Sequence, residues 1–177
     1  MSELYDQIVS QRGSFERLLA RIPGFRGYID KAARRTADRM IRDHVADLLT
    51  QRIYKLVVLE NRLLDNNGLS YMSKTTSVKT KLQTYRDRVK AAAPGYSGFM
   101  EAVKVDSEEL ERLYSFDEAQ LRYADRFGEG LDALETAISN NEGIDDAIAN
   151  LDQLTHEANE AFSMRETVLT DLDQKSS

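Results

Sequence analysis

Ile22-Pro23-Gly24-Phe25-Arg26-Gly27-Tyr28-Ile29-Asp30 and Ala93-Pro94-Gly95-Tyr96-Ser97-Gly98-Phe99-Met100-Glu101 hold the only two prolines of a 177-residue chain. Each phrase interrupts apolar spacing that is otherwise almost continuously helical. Proline lacks the N–H that a helix interior needs and pushes the residue before it out of the helical region, so one helix ends by Ile22 and another by Ala93. A glycine directly after proline suits the third position of a type II turn, which requires positive φ. The second glycine of each phrase, Gly27 or Gly98, falls where a helix N-cap would stand, and Asp30 or Glu101 follows in the first turn to meet the positive end of the helix dipole. The aromatic pairs Phe25 with Tyr28 and Tyr96 with Phe99 are expected to fold back as an apolar plug over a bundle end. A corner used twice, each time between a shorter helix and a longer one, predicts an all-α fold: an elongated antiparallel bundle of about five helices with coiled-coil-like packing.

Working outward from the corners, a first helix over about 3 to 20 places Leu4, Ile8, Phe15 and Leu18 on one seam that Gln11 interrupts. A second, over about 28 to 65, carries Ile41, Val45, Leu48, Arg52, Leu56, Leu59 and Leu63 in the same rhythm. It would be on the order of 55 Å long. Asn66-Asn67-Gly68 ends it as a C-terminal cap. The third, about 70 to 92, shows Val78, Leu82, Tyr85, Val89 and Ala92. The fourth, about 99 to 140, shows Leu110, Leu113, Asp117, Leu121, Ala124, Gly128, Leu131 and Ile138, with a kink expected at 103 to 107. Gly128 and Gly130 inside it mark a bend or a close helix approach. Asn140-Asn141-Glu142-Gly143 ends the fourth helix. A last one, about 144 to 172, sets Ile148, Leu151, Thr155, Ala158, Phe162, Arg165 and Leu169 on its seam. The expected organisation is one domain over 1–173 with a frayed tail at 174–177.

Composition narrows the chemistry. There is no cysteine, so disulfides, thiolate metal sites and cysteine nucleophiles are excluded. The longest aliphatic run, Leu56-Val57-Val58-Leu59, is far too short to span a bilayer, and no basic-then-apolar leader opens the chain, so a cytoplasmic protein is expected. A di-iron bundle needs Glu-x-x-His pairs. The only histidines are His44 and His156, preceded at that spacing by Ile41 and Gln153. Phosphate-loop, nucleophile-elbow and zinc-protease motifs are missing. No cofactor, metal, catalytic residue or small-molecule substrate is expected, and nucleic acid is a poor match for an acidic chain without aromatic interleaving.

The net charge of −6 conceals a division. Residues 1–93 carry 18 basic against 10 acidic side chains, and residues 94–177 carry 6 against 20. On the second helix Lys31, Arg35, Arg39 and Arg42 recur on one face, with Arg34 beside them and Arg21 and Arg26 in the corner before. Such a stripe would suit an anionic partner or anionic lipid. Glu108, Glu111, Glu118, Asp125, Glu129 and Asp132 form an acidic counterpart on the fourth helix. His44 lies beside an apolar stripe and Asp117 lies on one. A buried aspartate needs a partner, for which His44, Arg52 or a tyrosine is available.

The phrase Ile22-Pro23-Gly24-Phe25-Arg26-Gly27-Tyr28 with Arg34-Arg35 and Asp38, followed by Gly95-Tyr96-Ser97-Gly98-Phe99 and then Val103, Val105, Leu110, Tyr114 and Asp117, resembles a family of uncharacterised prokaryotic all-helical proteins. The match covers about a quarter of the chain. The resemblance implies a helical fold and no particular activity. Phe116 stands where that family's pattern has a histidine, so no histidine–aspartate site is implied. Long basic-then-acidic hairpins also look like the membrane-remodelling scaffolds of the phage-shock and ESCRT-III kind, in architecture only. The function expected is therefore a non-enzymatic structural or adaptor protein that self-assembles or docks a protein partner through charge-complementary helical surfaces. Peripheral binding to anionic lipid through residues 21–42 is the alternative, and an enzyme or ligand-binding bundle around Asp117 the third.

Overall fold

A computed structural model describes residues 2–28, 34–91 and 108–176, and all of its regular structure is helical. The elements are α1 (Glu3–Val9), α2 (Ser14–Arg21), α3 (Arg34–Asp65), a 3-10 turn (Leu69–Tyr71), α4 (Met72–Lys90), α5 (Glu108–Asn140) and α6 (Ile144–Ser176). No helix among the described residues is long and apolar enough to cross a membrane. The chain clusters into two compact units, one of residues 1–44, 90–121 and 160–177, the other of residues 45–89 and 122–159.

The expected first helix is two. Gly13 takes φ +71° and serves as N-cap of α2, whose first N–H bond is Arg17 N to Gly13 O at 3.1 Å. The polar run Ser10-Gln11-Arg12 offers nothing to bury, so the seam breaks where Gln11 interrupts it. The last helix also exceeds its expected end, continuing to Ser176. The second corner (Pro94, Gly95, Tyr96, Gly98, Phe99) and the kink at 103–107 lie outside the described residues.

Both asparagine pairs close their helices by one mechanism. Asn67 and Asn141 adopt φ of 59° and 52°, and the N–H of the residue after each reaches back to a helix carbonyl, Gly68 to Leu63 at 2.6 Å and Glu142 to Ala137 at 3.1 Å. Asparagine tolerates the left-handed conformation that this cap requires.

In the second unit, α3 and α4 form one antiparallel hairpin, tied by Lys79 Nζ to Glu60 Oε2 at 2.6 Å, and α5 and α6 form another, tied by Arg126 Nη1 to Glu157 Oε2 at 3.0 Å. The pairs between hairpins are parallel. Lys74 meets Asp145 (2.6 Å), Lys81 meets Asp152 (2.5 Å) and Arg88 Nη1 meets Asn159 Oδ1 (3.0 Å), so every rung joins residues 71 apart and successive rungs are a heptad apart. On the other side Arg52 Nε donates to the Ala124 carbonyl (3.0 Å), Lys55 bridges Asp132 and Glu135, and Arg62 meets Glu135 (2.8 Å). A uniformly antiparallel arrangement is therefore not what this unit adopts. Two hairpins set side by side in the same sense let the basic side of one run level with the acidic side of the other, and the charge division of the sequence becomes an intrachain ladder.

Interhelix distance is set by glycine. A Cβ on Gly128 would stand 2.9 Å from Arg52 Cζ, and one on Gly130 2.8 Å from Leu151 Cδ2. Both mark close approaches, which leaves room for the Arg52 guanidinium to reach the backbone of α5.

The hydrogen bond from Lys55 is the main reason that the Asp132 and Glu135 carboxyls sit below their ordinary range. A carboxyl whose folded pKa is depressed contributes stability above its unfolded pKa and loses it as pH falls through the folded one. Side-chain NMR titration is expected to place both groups below ordinary carboxylates and to raise both in Lys55→Ala, Glu135 less completely because Arg62 still holds it. Unchanged titration in that variant would show the bridge to be absent in solution.

Candidate functional site

The first corner forms as its sequence requires. Phe25 N–H donates to the Ile22 carbonyl at 3.1 Å, and Gly24, at φ +79°, occupies the position that demands positive φ. Gly27 departs from expectation. It takes φ +78°, and the Tyr28 after it is not helical, so Gly27 caps no helix. Instead it lets the backbone pass under Tyr114 and Phe15, where a Cβ would lie 2.5 Å from Tyr114 Oη and 2.6 Å from Phe15 Cε2.

That passage delivers Tyr28 to the centre of the first unit, fully buried. Its N–H donates to Tyr114 Oη at 2.7 Å, its carbonyl accepts from Arg34 Nε at 2.8 Å, and its hydroxyl donates to Asp117 Oδ2 at 2.7 Å. Asp117 Oδ1 accepts from Arg165 Nε at 2.6 Å, and Arg165 Nη2 donates to Asp38 Oδ1 at 2.7 Å. Arg42, one turn along α3, faces the other Asp38 oxygen at 3.0 Å and donates to the Ala91 carbonyl. A corner and three helices thus converge on one chain of charged and phenolic groups. Around it the rings of Phe15, Phe25, Tyr28 and Tyr114 pack with centroids 4.8 to 6.5 Å apart, and Tyr28 stacks on Tyr114 at 5.2 Å. Phe25 and Tyr28, the aromatic pair of this corner, are both buried in that cluster.

The electrostatics follow from burial. Desolvation pushes the Asp117 carboxyl above its ordinary value, opposed by the Arg165 charge and by the hydrogen bonds from Tyr28 and Arg165. Desolvation also raises the Tyr28 phenol well above its ordinary value, with the Asp117 carboxylate adding to it. Both oxygens of Asp117 are engaged by donors, and its exposure is 0%. An open groove of about 950 Å³ runs past Arg12, Phe15, Glu108, Arg112 and Tyr114, but Asp117 does not line it. The network holds the corner against α3, α5 and α6. Among the described residues, no group of three or more histidine or carboxylate side chains could hold a metal ion.

The residues singled out from the sequence divide. Arg21, Arg26, Arg35 and Arg39 are exposed, as an anionic partner would require. Arg34 and Arg42 are corrections: at 1% and 5% exposure they face the interior, because the Tyr28 carbonyl and Asp38 claim them. Lys31 lies outside the described residues. Pro23 and Gly24 are exposed, whereas Phe25, Gly27 and Tyr28 are buried. Glu118 leaves the acidic stripe too, buried and bonded to Arg17 at 3.1 Å. Of the buried polar pair, Asp117 is fully enclosed and His44 half-buried. Of the three partners considered for Asp117, a tyrosine is used. Arg52 instead bonds the Ala124 carbonyl. Arg165 and Asp38 are the members that sequence reasoning missed. Their signal was an arginine on the apolar seam of α6, since a cation there requires a buried anion.

No family model matches the chain, and no curated protein or solved structure matches it.

Proposed function

We propose that the chain is a non-enzymatic structural or adaptor protein that works through helical surfaces of complementary charge, assembling with itself or docking a protein partner. About five helices packed in coiled-coil fashion belong to this reading, as does the resemblance to the helical family with paired Pro-Gly corners. The observation that carries it is the ladder of the second unit, in which basic rungs meet acidic rungs at heptad spacing. Helix surfaces of this composition recognise each other side by side. The acidic surplus remains outward, with Glu129, Glu142, Asp146 and Glu160 exposed, and Arg26, Arg35 and Arg39 offer the opposite sign elsewhere. The closed donor set around Asp117 supports a structural role for the buried network.

Exposed charges are screened over about 8 to 10 Å at physiological salt, so association of this kind weakens as salt rises. Size-exclusion chromatography with light scattering is expected to show an oligomer at low salt that dissociates in high salt. A monomer at every salt concentration removes the self-assembly half of the reading. Arg35 and Arg39, one turn apart and both exposed, favour anionic lipid as the second reading. Co-sedimentation with vesicles containing phosphatidylserine tests it, and no binding at low salt ends it.

A further inference from the structure

Asn67-Gly68, between α3 and the 3-10 turn, is the only place in the chain where glycine follows asparagine. The pair carries its own chemistry. When the amide nitrogen after an asparagine loses its proton it can attack the asparagine side-chain carbonyl carbon, and glycine leaves that path open because it has no Cβ. Asn67 is exposed, so water reaches it. The nitrogen that would attack is nevertheless engaged. Gly68 N–H donates to the Leu63 carbonyl at 2.6 Å, in the cap that the left-handed Asn67 makes possible at φ 59°. The fit is close as well, since a Cβ on Gly68 would stand 2.6 Å from that same oxygen. An amide bonded in this way keeps its proton and is held away from the Asn67 side chain.

We infer that Asn67-Gly68 is a site of self-modification gated by the α3 cap: while the cap is closed the pair is inert, and when it opens the Gly68 nitrogen displaces the Asn67 side-chain amide. The inference is independent of the assembly reading above, and its chemistry needs only water. Gly68 N gives up its proton and bonds to Asn67 Cγ as the Cγ–Nδ2 bond breaks, and the side-chain nitrogen leaves as ammonia with that proton. Water then opens the cyclic imide at one carbonyl or the other, giving isoaspartate or aspartate. The consequences for the turn differ. The imide nitrogen carries no hydrogen, so the bond to Leu63 is lost while the ring persists. Aspartate can resume the left-handed conformation and rebuild the cap, whereas isoaspartate threads an extra methylene into the main chain and no longer places the same N–H. Either product adds a carboxylate near Asp65, at the helix end where the dipole disfavours negative charge. Asn141 is an internal comparison. It takes the same left-handed conformation and closes α5 with an equivalent bond, Glu142 N–H to the Ala137 carbonyl at 3.1 Å, but the residue after it carries a side chain that obstructs the attack.

The full chain is incubated in mildly alkaline buffer, either folded or in concentrated urea, and peptides spanning both asparagine turns are followed by mass spectrometry, with enzymatic methyl labelling to count isoaspartate. In urea Asn67 should convert well ahead of Asn141. In the folded protein its conversion should be slower by about tenfold or more, because a capped helix end opens only part of the time. Hydrogen exchange of the Gly68 amide supplies a second measurement, and the factor by which folding slows the reaction should match the protection of that amide. Conversion at Asn67 no faster than at Asn141 in urea overturns the site. Equal rates in the folded and unfolded chain, or slowing far beyond the protection of Gly68, overturn the cap as its gate.

Discussion

Arg165→Met is expected to lower the unfolding free energy by about 3–5 kcal/mol, because it leaves two buried carboxylates facing each other without their shared cation. Arg165 is 2% exposed and bonds Asp117 through Nε and Asp38 through Nη2. Methionine fills much of the volume and supplies no charge, so the loss measures the stranded Asp117 carboxylate more than a cavity, while Asp38 keeps Arg42. Arg165→Lys should fall between, since an ammonium keeps the charge but cannot bridge two carboxylates with a planar fork. Urea denaturation of the three proteins decides. A deficit under about 1 kcal/mol in Arg165→Met would place the network outside the main determinants of stability.

The deficit should also depend on pH with a definite sign. Burial already holds the Asp117 carboxyl above its ordinary value, and the Arg165 charge is the largest influence opposing that rise. Without Arg165 the folded-state value rises further. A group whose folded pKa exceeds its unfolded one contributes stability that is present below the unfolded pKa and lost as pH climbs through the folded one. The cost of Arg165→Met should therefore be greatest at neutral and alkaline pH and shrink on acidification, as Asp117 takes up a proton and ceases to be a stranded charge. A cost that stays constant across that range would mean that the carboxyl remains ionised in the variant, against this account.

Gly27→Ala is expected to be nearly as damaging, at about 2–5 kcal/mol, and Gly24→Ala clearly milder, at about 1–2 kcal/mol. The two glycines share the same backbone conformation, φ +78° and +79°, so the conformational cost of a side chain is common to both. They differ in surroundings. The Cβ of an alanine at position 24 would find only the flexible end of Met40 at 3.6 Å, whereas at position 27 it would collide with Tyr114 Oη and with the Phe15 ring. Yielding there means displacing the hydroxyl that accepts the Tyr28 N–H bond, and with it the route by which Tyr28 reaches Asp117. Thermal or urea midpoints compare the pair directly, and equal losses would show that crowding at Gly27 is relieved without cost.

The corner was legible because its chemistry is local. Pro23 and Gly24 specify a turn whatever surrounds them, and the Asn-Asn pairs specify left-handed caps for the same reason. The seams were legible because helical period maps onto burial: Leu110, Leu113, Asp117 and Leu121 are all enclosed, as are Thr155, Ala158, Phe162 and Arg165. On α3 the inward line was displaced by one position in part, with Leu49 and Ile53 buried while Leu48 and Arg52 are half-buried. The stretch 113–121 was not legible. All nine of its residues are buried, polar Ser115, Glu118 and Gln120 included. A one-faced reading fails where a helix is covered on every side.

By itself, then, the sequence determined the cores of the long helices, the first turn with its left-handed glycine and the division of charge between halves, since each depends on neighbours within a few residues along the chain. Tertiary structure alone decided what the charges do. It turned Arg34 and Arg42 inward to a carbonyl and a carboxylate, brought Arg165 to Asp117 across 48 residues, and ran the basic and acidic hairpins of the second unit parallel. The physical reason is that a side chain's periodicity tells which face of a helix it occupies, while the direction that face points, into solvent or into another helix, depends on which helix packs against it.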